Sequence, residues 1–120
     1  MANEKIEDGA HITVHGRGTL RIPFGLETED GTQQLDISGL PLVFEVDGAP
    51  ISEPLMPDPD DALGQLIVVE RAQIQTLGQT ALPFAVIDES EKDADIYTVL
   101  WAGTIKLTGF KGNPDTKAGL

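Results

Sequence analysis

The sequence predicts an all-β domain, an antiparallel sandwich or barrel of seven or eight short strands with one short helical turn. Three observations lead there. Thirteen Gly and eight Pro fall between short apolar runs, as turn residues fall between strands. Within the runs apolar and polar side chains alternate with period two, which gives each strand one buried and one outward face. Turn signals return roughly every 8 to 12 residues, the spacing of sandwich and barrel strands. At 120 residues the chain suits one domain, 1–120, with one modest core. No internal repeat or linker divides it. The first ten residues and the stretch from Lys111 onward are expected to fray, leaving an ordered core of about residues 11–110.

The elements follow in order. HITVH, residues 11–15, is a short separate strand or a bent extension of the next one. In TLRIPFGLE, Leu20, Ile22, Phe24 and Leu26 alternate with Arg21, Pro23, Gly25 and Glu27. Pro23 has no N–H for a ladder, so this strand lies at a sheet edge or carries a bulge. Glu29 to Thr32 is a turn in which Gly31 supplies positive φ. Leu35 and Ile37 are expected in the core. Asp36 and Ser38 can bond backbone two residues on, and Gly39 then reverses the chain. Leu42, Phe44 and Val46 form the next buried row, and Asp47-Gly48 is a hairpin dipeptide. PISEPLM pairs back as a short edge strand, with Pro50 and Pro54 keeping it there.

A polar loop, Pro57 to Gln65, precedes QLIVVE, whose continuous β-branched run predicts burial on both faces. RAQIQTLG breaks the strand pattern. Ala72, Ile74 and Leu77 suit one or two helical turns, with Gly78 as the C-cap, crossing between two sheets. Leu82, Phe84 and Val86 share a face of the following strand, and ESEKDAD is a hydrophilic turn. IYTVLWAGTIKLTG closes the fold as its longest strand, with Tyr97, Val99, Trp101, Ile105 and Leu107 on one face. Gly103 inside it predicts a bulge or close backbone packing.

Charge and composition narrow the function. Eight basic against twenty acidic residues give a net charge of −12. That sign repels nucleic-acid phosphates and anionic membranes, so neither is an expected partner. It serves solubility, or it meets basic neighbours in an assembly. With no Cys there is neither a disulfide nor a thiolate zinc site, and the compartment stays open. MANEKIEDGA lacks the apolar run of a signal peptide, and no stretch reaches the ~18 apolar residues of a membrane helix. The chain is expected to be soluble and made in the cytoplasm.

A search for chemistry finds no reactive constellation. His11 and His15, four apart on a strand, share a face but stand roughly 13 Å apart at ~3.3 Å per residue, too far for one ion. Two acidic clusters, Asp58, Asp60 and Asp61, and Asp88, Glu89, Glu91, Asp93 and Asp95, lack the calcium-loop spacing and read as solvated loops, with weak calcium binding as the alternative. Ser38, Ser52 and Ser90 sit in turns or edges, none in a nucleophile elbow. Gly16 to Gly18 opens no phosphate-binding helix. No catalytic residue, cofactor or metal is expected. Of the six aromatics, Phe24, Phe44 and Phe84 are on the core phase. Trp101 sits in the apolar run VLWAG, which cannot be buried on one face only, so Leu100, Trp101 and Ala102 are the candidate interface.

Taken in order, GRGTLRIPFGL, TEDGTQQ, LDISGLPLVFEV, GQLIVVE, AQIQTLG, LPFAVID and VLWAGTIKLTG resemble the small β-sandwich domain of tailed-phage and prophage structural proteins, similar to the N-terminal domain of baseplate upper proteins. The resemblance spans Arg17 to Gly109. It implies an immunoglobulin-like sandwich with no catalytic residues, docked to other virion proteins as a homo-oligomer or within a hetero-assembly. The expected function is a non-enzymatic tail, baseplate or adaptor component, made in the host cytoplasm and carried in the virion. A capsid decoration or head-fibre base protein is the alternative. A carbohydrate-binding module using Tyr97 or Trp101, and a small hydrolase, follow.

Overall fold

The computed structural model describes residues 10–111, with side chains as far as Thr108. The expected fraying of the termini falls outside the described residues, except that Ala10 and Lys111 are themselves strand residues. The strands are β1 (Ala10–Gly16), β2 (Leu20–Phe24), β3 (Leu26–Glu27), β4 (Gln34–Leu35), β5 (Leu42–Val46), β6 (Ile51–Pro54), β7 (Met56–Pro57), β8 (Gln65–Val69), β9 (Leu82–Glu91) and β10 (Ile96–Lys111). Seven of them have four residues or more. One helical turn, α1 (Arg71–Ile74), follows β8, and a 3-10 turn, Lys92–Ala94, joins β9 to β10.

The fold is all-β and sandwich-like. A five-stranded sheet runs β1-β10-β9-β5-β6 and a three-stranded sheet runs β2-β8-β7, with β3-β4 as a small ribbon. Apolar side chains of both sheets meet in one core. Phe44, Phe84, Val86, Ile105 and Leu107 come from the larger sheet, and Leu20, Phe24, Ile67 and Val69 from the smaller. Pro23 lies on the edge strand β2, and Pro54 on the edge strand β6. Each edge tolerates the missing N–H because no neighbour needs it. α1 carries the chain from β8 in one sheet to β9 in the other. It buries Ile74, and Leu77 just beyond it is buried too; the side chain of Gln73 accepts the Glu70 N–H at 3.3 Å and donates to Glu53 at 2.6 Å.

The pairing is antiparallel except at one place. β1 runs parallel to β10, with Ala10 opposite Gly103, Ile12 opposite Ile105 and Val14 opposite Leu107. The first described strand thus borders the last. Gly103 is where their backbones approach. A Cβ added there would lie 2.1 Å from the Ala10 carbonyl oxygen, so the position admits only hydrogen; of the two alternatives, a bulge or close backbone packing, it is the second that holds at Gly103.

Several local expectations change. Leu35 is 43% exposed rather than in the core. It pairs with Leu26 in the β3-β4 ribbon, which stands outside both main sheets, whereas Ile37 is buried. Gly78 is not a helix cap. The C-cap of α1 is Gln75 in an ordinary right-handed conformation, and the Gly78 carbonyl instead accepts the Leu107 N–H at 2.8 Å. Ala72 faces solvent. Gly31 and Gly48 do adopt positive φ, +73° and +95°, as their turns require.

The turn at Asp36 to Gly39 is held from two sides. Asp36 Oδ1 accepts the Ser38 N–H at 3.0 Å and the Ser38 hydroxyl at 2.6 Å. Behind it Gln65, 4% exposed, donates its side-chain amide to the Ile37 carbonyl at 2.7 Å and the Leu40 carbonyl at 2.9 Å. The sequence gives no sign that Gln65 enters the core. A buried amide is stable there because its N–H groups find those two backbone acceptors.

Candidate interaction site

The run Val99 to Gly103 is divided by a register shift in the β9-β10 pairing between Val99 and Trp101. Leu100 occupies that irregularity. Trp101 opposes Val86 and Ala102 opposes Ala85, so these two neighbours point to opposite faces of the sheet. Trp101 turns inward. Its ring centroid is 5.0 Å from Phe84 in an edge-on arrangement and 5.8 Å from Phe24, and Phe84 stands 5.4 Å from Phe44. Such contacts add about 0.5–1.5 kcal/mol per pair beyond area burial. Ala102 faces outward.

Trp101 is only half-buried, and its open side lines a groove of about 330 Å³ with Leu100 and the β2-β3 residues Ile22, Phe24 and Leu26. The groove lies where the edge strand β2 meets β10. Leu100 and Trp101 therefore share a concave apolar surface, while Ala102 belongs to the other side of the sheet.

Further along the hairpin, Ile96 is 47%, Tyr97 51% and Val99 41% exposed. The sequence phase placed Tyr97 and Val99 with the core. The register shifts between Ile96 and Thr98 and between Val99 and Trp101 break that phase. In addition, β5 pairs with β9 only as far as Asp88, so the hairpin end extends past the strands that would cover it. The left-handed Asp95, φ 61°, closes this end.

In the acidic clusters, Asp58, Asp61 and Asp88 are engaged with their own chain. Asp58 accepts the Asp60 N–H at 2.9 Å, and Asp88 accepts both the N–H and the hydroxyl of Ser90. Asp61 accepts the Gln34 side-chain amide at 2.7 Å and the Leu63 N–H at 3.0 Å. Those two bonds, the Gln34 one first, hold its carboxyl below the usual range. Asp36 is lowered likewise by the Ser38 hydroxyl and N–H. Asp30 is held at about 2 by the Thr28 hydroxyl, then by the N–H and hydroxyl of Thr32. These carboxylates cap turns, with donors bonded to the charged form. Among the described residues no three His, Asp or Glu side chains converge as metal ligands. His11 and His15 are both exposed on one face of β1, and His11 Nδ1 lies 2.9 Å from the Thr104 hydroxyl.

Comparison with protein-family models, with curated proteins and with solved structures finds no match for this chain.

Proposed function

We propose that this protein is a structural component that works by protein–protein contact, in the tail, baseplate or an adaptor of a tailed-phage particle. The observation that carries the contact reading is the apolar surface of β10. The Leu100–Trp101 groove opens beside β2, and Ile96, Tyr97 and Val99 stand exposed on the same strand. Apolar side chains left in water at one end of a strongly acidic chain favour a partner that covers them. The motif order from Arg17 to Gly109 supports a virion as the assembly. Mass spectrometry of purified particles, with peptide counts scaled to the major capsid protein, tests the reading. A few to a few dozen copies per particle are expected. Hundreds would move the protein to the capsid surface, and absence would refute the virion assignment.

A second reading rests on Tyr97, whose half-exposed ring is a platform of the kind sugar rings stack on. Quenching of tyrosine and tryptophan fluorescence by oligosaccharides would support it, and an unchanged spectrum would dismiss it.

A further inference from the structure

The outer face of the five-stranded sheet carries side chains that no other part of the described structure covers. Register assigns its members. His11 and Thr13 come from β1, opposite Thr104 and Lys106 of β10. Ala102 and Thr104 lie opposite Ala85 and Pro83 of β9. Val43 and Glu45 of β5 lie opposite Ile87 and Ala85, and Pro54 and Ser52 of β6 complete the two rows. Val43, Ala85, Ile87 and Ala102 are half-buried. The middle of the face is small and flat.

Its charges are sorted. On the β5 side of Pro83, Glu45 and Asp47 line a hollow of about 340 Å³, and Glu89 follows Ile87 on the same face of β9. On the other side of Pro83, His11 and Lys106 line a second hollow of about 330 Å³. Lys106 lies four residues along β10 from Ala102, and Glu45 lies two strands across from it. With strands ~4.8 Å apart and a rise of ~3.3 Å, Glu45 and Lys106 stand roughly 16 Å apart, and Pro83 marks the midpoint.

We infer that this face is a self-association surface: two copies pack sheet to sheet about a two-fold axis lying in the contact plane at Pro83, with Glu45 of each copy against Lys106 of the other. An axis perpendicular to the Glu45–Lys106 line exchanges the two charges, the self-complementarity that an isologous contact requires. It brings Ala85 over Thr104 and Val43 over Thr13, short side chains that allow close approach. The strands of the two copies then cross at roughly 70°, near the orthogonal class of sheet packing. Elsewhere, two chains of net charge −12 oppose each other; on this face opposite charges meet. Five strands by roughly 20 Å give a projected area of roughly 480 Å² per copy. The total of roughly 1,000 Å² is at the small end of specific interfaces and suits a dimer that forms at micromolar or higher concentration.

Sedimentation velocity on the full chain, from about 10 to about 500 µM in about 0.15 M salt, tests the contact. The wild type is expected to pass from monomer to dimer over that range. Lys106→Glu and Glu45→Lys are each expected to weaken the dimer about tenfold or more, and the double exchange to restore it to within about threefold. Both positions lie on the outer face, and an unchanged near-ultraviolet spectrum checks each fold. A wild type that stays monomeric, single reversals that dimerise like it, or a double exchange as weak as the singles would each overturn the inference. Detection in particles does not depend on dimerisation in solution, so the two readings can fail separately.

Discussion

The buried amide of Gln65 offers a sharp test of how the sandwich holds its long turn. Gln65→Glu keeps the shape of the side chain and replaces the donor with a carboxyl. That group would face the carbonyl oxygens of Ile37 and Leu40, now 2.7 and 2.9 Å from the amide nitrogen, in a site 4% exposed. An ionised carboxylate is untenable against two acceptors without water, so the native variant keeps its proton at neutral pH. An unfolded Glu ionises near ~4.3, and each unit from there to pH 7 costs ~1.36 kcal/mol, or about 3.7 kcal/mol in all. A protonated carboxyl can donate to only one of the two carbonyls, which removes one hydrogen bond worth about 1 kcal/mol. The variant should therefore be about 4–5 kcal/mol less stable at pH 7, a urea midpoint lower by about 2 M at a slope near ~2 kcal/mol/M. The introduced carboxyl has a folded value raised above its unfolded one. Its penalty is absent below about pH 4.3 and grows as pH rises, so at pH 4 the gap should shrink to about 1 kcal/mol. Urea unfolding followed by Trp101 fluorescence at both pH values measures it, with the wild type at each pH as reference. A gap under about 1 kcal/mol at pH 7, or one that does not change with pH, would refute this account.

Other substitutions separate tight from slack positions. Gly103→Ala should destabilise by about 1–3 kcal/mol, because its Cβ would meet the Ala10 backbone at 2.1 Å and β1 must move to make room. Gly78→Ala places its Cβ in ordinary contact with the Thr80 nitrogen at 4.0 Å and at ordinary φ, and should stabilise by about 0.4–1 kcal/mol through the unfolded chain; thermal unfolding of the pair should show opposite signs. Phe84→Ala removes a ring that is nearly fully buried between Phe44 and Trp101, which should cost about 3–5 kcal/mol and red-shift Trp101 emission; an unshifted spectrum would contradict the ring geometry. Asp30, at about 2, contributes stability that is present above its ordinary value of 3.8 and is lost as pH falls through about 2. Its carboxyl carbon should titrate near that lower value by NMR, and Thr28→Val should raise the midpoint; a wild-type midpoint in the ordinary range would count against the turn geometry.

Much of the candidate interaction site was legible as a property of composition and of no particular surface. The run Val99 to Gly103 holds more apolar side chains than one face of a strand can bury, and that excess pointed to Leu100, Trp101 and Ala102. The division of the three was not legible. It depends on where β10 slips against β9, and nothing local in VLWAG marks the slip. The exposure of Tyr97 and Val99 depends in turn on where β5 stops covering β9, a length set by strands more than forty residues away in sequence.

The sequence by itself determined the all-β class, the phase of the buried row of β5 and the turns at Gly31 and Gly48. Leu42, Phe44 and Val46 alternate, and all three are buried. Gly31 and Gly48 take the left-handed conformations their turns demand, and the apolar break at Ile74 and Leu77 crosses between sheets. These features follow from local sterics and from side-chain period, which neighbouring residues fix. Tertiary structure alone decided that β1 borders β10 in parallel, that Leu35 stands out of the core, that Gln65 enters it and that the charges of the outer face sort about Pro83. A period of two says which side chains share a face but not which strand lies beside them. That choice is made by backbone pairing and packing between segments far apart along the chain.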